Sequence, residues 1–247
     1  MEEGKSTVRA VDRALDILLC FTLRTDWAMT EIADHVGLHK STVHRMLATL
    51  EEKGFIERNP ETERYHLGLK VWELSAHLSK DDDQASIWQP EMERLRDLLG
   101  ETVSIYVRDG ASRIRIQAVQ SNQPVRRVAP VGVRLPLYAG ASSKVLLAYE
   151  EPLIRDSLLN DPTWADHIDI EQYKEQLGEV LANGFATSFE ERETGAAALS
   201  GPIFDRSGKL LAALSVSGPA SRLTVDKMLQ YAPAMLESAK RMSMMVK

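Results

Sequence analysis

The chain has 247 residues, 44% of them hydrophobic and 27% charged. Those proportions exclude a collagen, a low-complexity chain and a wholly disordered one, and the length suits one to two domains. Against 36 Asp and Glu stand 30 Lys and Arg, a net charge of −6 that argues against a protein coated by nucleic acid, since bulk affinity for DNA comes from cationic surface.

A single cysteine, Cys20, makes neither an intrachain disulfide nor a cysteine-rich zinc site and suits a reducing compartment. The first residues, Met1-Glu-Glu-Gly, lack the basic-then-apolar order of a signal peptide. No apolar run approaches the roughly 18 residues of a membrane span. The expectation is a soluble cytoplasmic protein with no membrane partner.

Residues 8–23 read as a helix, with Val11, Ala14, Leu15, Leu18 and Leu19 on its apolar face. Thr30 suits the N-cap of a short helix over Glu31–Val36, which Gly37 breaks. A longer helix follows from Lys40 to Lys53, with Val43, Met46, Leu47 and Leu50 inward. Phe55–Arg58 and Arg64–Leu67, separated by Asn59-Pro-Glu-Thr-Glu63, read as a hairpin. Leu69–Leu78 resumes a helical pattern and runs into Lys80-Asp-Asp-Asp-Gln84, a charged stretch that suits a domain boundary.

A helix over 85–99 comes next, and then the period changes to two. Residues 102–107 and 113–119 alternate, with Ile114, Ile116 and Ala118 on one face and Arg113, Arg115 and Gln117 on the other. Further strands are expected near 125–129, 133–138, 185–190, 196–204 and 210–217. Helices are expected over 141–149, 151–159, 170–182 and 224–245. The fold class is therefore α+β, with antiparallel strands and flanking helices in the second part.

Two helices joined by a glycine turn and followed by a hairpin make a winged helix-turn-helix. Ala33 is small where the helices cross, and Ile32, Leu38, Val43 and Leu47 supply a shared core. The second helix of such a motif lies in the major groove with its first residues at base edges. Those residues are His39, Lys40, Ser41, Thr42, His44 and Arg45, all able to donate hydrogen bonds. Arg58 and Arg64 flank the wing, within reach of phosphate or the minor groove. A plain helix N-cap is the alternative role for His39.

Charge supports this locally rather than globally. Residues 1–70 hold 10 Lys or Arg and 12 Asp or Glu, yet residues 36–50 contain Lys40, Arg45 and no acid. Such an arrangement predicts weak non-specific binding and recognition by a dimer that docks two helices at once.

The chain resembles the isocitrate-lyase-regulator (IclR) family of bacterial transcription factors along essentially its whole length. The likeness rests on Val11-Asp-Arg-Ala-Leu-Asp-Ile-Leu18, Thr30-Glu-Ile-Ala33, Lys40-Ser-Thr-Val-His-Arg-Met-Leu47, Gly54-Phe-Ile56 and Tyr65-His-Leu-Gly68. In the second half it rests on Arg134-Leu-Pro-Leu-Tyr-Ala139, Gly140-Ala-Ser-Ser-Lys-Val-Leu-Leu147, Glu190-Glu-Arg-Glu-Thr-Gly195, Pro202-Ile-Phe-Asp205 and Ser215-Val-Ser-Gly-Pro219. The resemblance implies a winged helix-turn-helix DNA-binding domain over 1–68, a linker helix over 69–84 and a GAF-like effector-binding sensor domain over 85–247. It also implies homodimers or homotetramers on double-stranded operator DNA that repress or activate, with repression the expected sign here, and a response to a small organic acid, an aromatic carboxylate or a related metabolite.

The effector positions implied by the resemblance are Leu135, Ala141, Ser142, Ser188, Ala196, Ala198, Ser215 and Ser217, with Arg127 as a charge partner. The residues lend their own support. A strand becomes a helix near Gly140, and a helix N-terminus suits a carboxylate. Ser215 and Ser217 share one strand face. The alternatives are that Ser142 caps the helix and that the strand serines satisfy nearby backbone. Ala198 stands where some members have cysteine and Gly201 where alanine is common, and small side chains at 196–198 predict room for a somewhat larger ligand.

No enzyme motif emerges. Gly140-Ala-Ser-Ser-Lys144 has neither G-x-S-x-G nor S-x-x-K spacing, and the chain lacks H-E-x-x-H and a phosphate-binding glycine loop. His35 and His39 straddle Gly37, so they do not share a helix face, and neither a metal nor a cofactor is expected.

Overall fold

Helix α1 (Arg9–Cys20) turns Ile17 and Cys20 into a core that also takes Phe21, while Val11, Leu15 and Leu19 stay exposed. The face expected to be inward is thus largely outward. Trp27 anchors the opposite side, where its indole N–H donates to the Cys20 carbonyl at 3.0 Å. The computed structural model describes residues 7–78, 84–128 and 130–246, and the chain divides into two units, Met1–Asp83 and Gln84–Lys247. The charged stretch Lys80–Asp83 lies outside the described residues.

The first unit continues with β1 (Asp26–Trp27), α2 (Met29–Val36), α3 (Lys40–Glu52), β2 (Ile56–Arg58), β3 (Tyr65–Leu67) and α4 (Leu69–Leu78). Helix α2 starts before Thr30, so Thr30 is not its cap. Glu31 instead accepts the Ala28 N–H at 2.8 Å, which satisfies a donor at the helix start from the third helical position. Gly37 ends α2 with φ of 64°, a left-handed conformation that only glycine adopts cheaply. The sheet order is β1-β3-β2, all antiparallel, and Ile32, Ala33, Val43, Leu47, Ile56 and Tyr65 close the core beneath it.

The second unit contains α5 (Gln84–Leu99), β4 (Thr102–Asp109), β5 (Ser112–Val119), β6 (Arg134–Pro136), α6 (Ala141–Ala148), α7 (Pro152–Leu159), α8 (Pro162–Ala165), α9 (Ile170–Asn183), β7 (Ala186–Phe189), β8 (Ala196–Phe204), β9 (Leu210–Pro219) and α10 (Val225–Met245). Its antiparallel sheet has the order β6-β5-β4-β9-β8-β7. On one face α5 and α10 bring Trp88, Met92, Leu95, Met228 and Met235 against Val103, Ile105, Leu199, Leu214 and Val216. Burying Met92 and Leu95 stabilises the unit by about 1.5–3 kcal/mol each. On the other face α6 and α9 pack with Tyr106, Leu137, Ala186 and Ala213.

The strand expected near 125–129 is absent among the described residues 125–128; residue 129 lies outside them. Side chains take acceptors that a ladder would have used there. The Thr102 hydroxyl donates to the Arg127 carbonyl at 3.0 Å, and Arg222 donates to the Val125 carbonyl at 3.0 Å. The segment is thereby held as a loop that sets Arg127 beside the sheet.

Candidate nucleic-acid interface and ligand cavity

Helix α3 presents His39, Lys40, Ser41, His44 and Arg45 to solvent, with Thr42 half-buried. Val43 and Leu47 on its other side are fully buried, so core packing fixes which face points out. His39 is the N-cap. Its Nδ1 lies 2.8 Å from the Ser41 hydroxyl and 3.4 Å from the Ser41 N–H, so the plain cap role holds and leaves the rest of the ring exposed. The wing arginines differ from one another. Arg58 makes an exposed 2.8 Å pair with Glu63, a contact of small net worth. Arg64 is half-buried and bonded to Asp26 at 2.6 Å and Glu31 at 2.7 Å, which straps the wing to β1 and to the start of α2.

In the second unit one cavity gathers Leu135, Ala141, Ser142, Ser188, Ala196, Ala198, Ser215 and Ser217, and Arg127 lines it too. Its volume is about 60 Å³. That falls well below the roughly 150 Å³ that holds benzene in an engineered core. The small side chains at 196–198 therefore do not open a large site, because Arg113, Arg115, Arg127 and Arg192 line the same space.

Arg113 and Arg115 sit on the β5 face opposite Ile114 and Ile116, as period two requires, but this face is covered rather than solvated. Both arginines are about 97% buried or more. Arg113 Nη1 donates to the carbonyls of Pro136 at 2.8 Å and Ala139 at 2.5 Å, while its Nε has no partner among the described residues. Burial pulls the Arg113 guanidinium down to about 10. Arg115 donates to the Tyr106 hydroxyl at 2.7 and 3.0 Å. Gly140, with φ of 104°, leaves room for Arg113, since a Cβ there would lie 2.8 Å from Nη2.

The start of α6 is partly occupied by the protein itself. Glu191 accepts the Gly140 N–H at 3.1 Å and pairs with Lys144 at 2.5 Å. The N-cap of α6 is Gly140, so Ser142 is not the cap. Ser215 donates weakly to the Leu199 carbonyl at 3.4 Å, and Ser217 Oγ has no partner among the described residues. Across the cavity Glu193 lies 2.6 Å from Arg127 and 3.5 Å from Arg192. The Arg127 hydrogen bond holds the Glu193 carboxyl below its ordinary range, and burial with nearby Arg127 lowers Arg192.

Two family models match the chain. One, described as the IclR helix-turn-helix domain, matches residues 10–60; the other, described as the bacterial transcriptional regulator IclR C-terminal, matches residues 77–244. The chain belongs to the IclR family. Among its relatives, the HTH-type transcriptional regulator BhcR of Paracoccus denitrificans is 30% identical over 98% of this chain and 88% of its own. The transcriptional repressor IclR of Escherichia coli is 30% identical over 88% of this chain and 82% of its own. The crystal structure of an IclR transcriptional regulator from Alicyclobacillus acidocaldarius superimposes with a TM-score of 0.84 at 26% identity, covering 98% of this chain and 100% of that one.

Membership in the IclR family makes the protein a DNA-binding transcriptional regulator and not an enzyme. Its fold class is the expected α+β, a helix-turn-helix unit followed by an antiparallel α/β unit. No helix among the described residues is long and apolar enough to cross a membrane. Sequence reasoning missed Tyr106, Arg113, Arg115, Arg192 and Glu193 at the cavity. The available signal was the Arg-x-Arg pair in an alternating strand, which a solvated face explains equally well until α6 and α9 are in place.

Proposed function

We propose that this regulator is a ligand-responsive repressor of the cytoplasm that binds an operator as a homodimer or homotetramer. In this reading residues 1–68 bind DNA, 69–84 link, and 85–247 sense. His39, Lys40, Ser41, Thr42, His44 and Arg45 meet base edges and phosphates, with Arg58 on the backbone and Arg64 positioning the wing. Exposed Lys40 and Arg45 on an acid-free helix face support that assignment. Self-association is supported by the exposed apolar residues Val11, Leu15 and Leu19 of α1 and Leu69, Trp72 and Leu74 of α4, since runs of this kind on a soluble chain mark contact surfaces.

The effector is a small organic acid. The observation that carries this is a single cavity whose wall combines Ser142, Ser188, Ser215 and Ser217 with four arginines and one carboxylate. Two of these arginines, Arg113 and Arg115, are buried, and a wall with more cations than carboxylates favours an anionic ligand. The ligand biases the DNA-competent state only by its difference in affinity between states. Fluorescence anisotropy on DNA flanking the protein's own gene, with and without organic acids, tests both halves. A specific complex whose affinity an acid shifts at least fivefold is expected. Absence of a specific complex under all conditions overturns the operator reading, and a complex indifferent to every acid overturns the effector reading.

A further inference from the structure

The cavity's charge is far from balanced. Among the described residues that line it are four arginines and one acid, Glu193, while the nearby Glu191 is already engaged by Lys144. Arg113 is buried with only carbonyl oxygens as acceptors, and its Nε is left over. Ser217 Oγ, on the same wall, is also left over. A buried donor without an acceptor is costly, so these atoms mark a place for an anion that accepts hydrogen bonds. One carboxylate supplied at Arg113 still leaves Arg127 and Arg192 sharing a single acid.

That acid is Glu193, and it behaves as a substitute. Its side chain is 52% exposed, it reaches in from the segment after β7, and it serves Arg127 at 2.6 Å and Arg192 at 3.5 Å. The position it occupies accepts a carboxylate by direct demonstration. A half-exposed acid exchanges for a ligand's acid at little cost, because the Arg127 pair is replaced by another of the same kind while Glu193 regains full hydration. The small volume limits the spacing between the two anionic groups to a short carbon chain.

We infer that the cavity selects a small dicarboxylate, one carboxylate held at Arg113 and Ser217 and the other on Arg127 in place of Glu193. This rests on the effector reading above and adds to it the number of acidic groups. Specificity then comes from charge matching: a monocarboxylate leaves the second anion seat to Glu193 and gains nothing there.

Isothermal titration calorimetry on the full chain at constant ionic strength tests this, with malonate against propionate and succinate against butyrate. At least one dicarboxylate binds tenfold or more tightly than its chain-matched monocarboxylate. Arg127→Gln lowers affinity for that dicarboxylate more than for the monocarboxylate, and Glu193→Gln raises the dicarboxylate affinity severalfold by removing the competitor. Circular dichroism of each variant guards against misfolding, and the wild-type ratio decides alone if a variant fails to fold. Monocarboxylates that bind as tightly as their partners overturn the inference and leave the organic-acid reading standing. No binding by any of the four acids removes the inference and counts against the organic-acid reading as well.

Discussion

Lys144 and Glu191 form a 2.5 Å ion pair that clamps the first turn of α6 to the segment after β7. Lys144 is 95% buried and also donates to the Thr187 carbonyl at 3.1 Å, so removing its charge strands two acceptors. Loss of one partner of a fully buried pair costs about 3–5 kcal/mol. Glu191 keeps partial contact with water, which reduces the penalty. Lys144→Met is expected to lower stability by about 1–3 kcal/mol. Urea unfolding measures it, and an unchanged midpoint would show that the clamp contributes nothing.

Glu91 predicts how the second unit responds to acid. Burial alone would raise its carboxyl, but hydrogen bonds from Arg94, Arg241 and Ser238 outweigh it and bring the value from 4.5 to about 2. A carboxyl depressed in the folded state binds its proton more readily when unfolded. Its contribution is therefore present in full above about pH 4.5 and is lost as pH falls towards 2. The arginines are partly exposed, so the contribution is about 2 kcal/mol rather than the full value of the shift. Glu91→Gln should flatten the stability profile between these limits while leaving other acid transitions in place. Unfolding midpoints measured at intervals from pH 5 to 2 check this; parallel profiles for the two proteins would refute it.

Much of this architecture is legible in the sequence, and the misses share a cause. The turn at Gly37 and the start of α3 at Lys40 follow from local signals, and the structure places both there. The alternation correctly sorts Arg113 and Arg115 from Ile114 and Ile116, but a register shift opposite Ile105 and Tyr106 then puts Gln117, expected beside the arginines, on the α5 side, where it donates to Gln89. Alternation cannot say which face a helix will cover, and here α6 and α9 lie on the side of the arginines. Arg64 is a similar case. Its partners Asp26 and Glu31 lie 38 and 33 residues away, so an exposed cation and an internal strap look identical along the chain. For α1 the apolar residues outnumber those its own core needs, and composition alone does not reveal that Val11 and Leu15 are the surplus.

That contrast separates two kinds of arginine in the first unit. Arg45→Ala and Lys40→Ala should each weaken operator binding and reduce the magnitude of the salt slope by about 0.9 if the lost contact is a phosphate. Their exposure predicts unchanged thermal midpoints. Arg64→Ala should lower the thermal midpoint, because it releases Asp26 and Glu31 together. Anisotropy titrations from low to high salt, paired with melts, distinguish the two. An Arg64→Ala protein that melts like wild type but loses a unit of salt slope would return Arg64 to the DNA surface.

Packing leaves no free space for a side chain at Gly201. A Cβ at this position would lie 2.8 Å from Met235 Sδ, 3.0 Å from Met235 Cε and 3.2 Å from Leu236 Cδ2. Met235 is fully buried in the layer between α10 and the sheet, so the thioether occupies space that a methyl at 201 would otherwise fill. The two positions form one packing unit. Gly201→Ala alone is expected to destabilise by about 1–2 kcal/mol, the lower part of the overpacking range because methionine adapts. Met235→Ala alone leaves a cavity and costs about 2–4 kcal/mol. The double variant should cost less than the sum by about 1 kcal/mol or more, since the added methyl relieves the cavity and meets no sulfur. A double-mutant cycle by urea unfolding measures the coupling, and strict additivity would mean that α10 shifts away to admit the methyl instead.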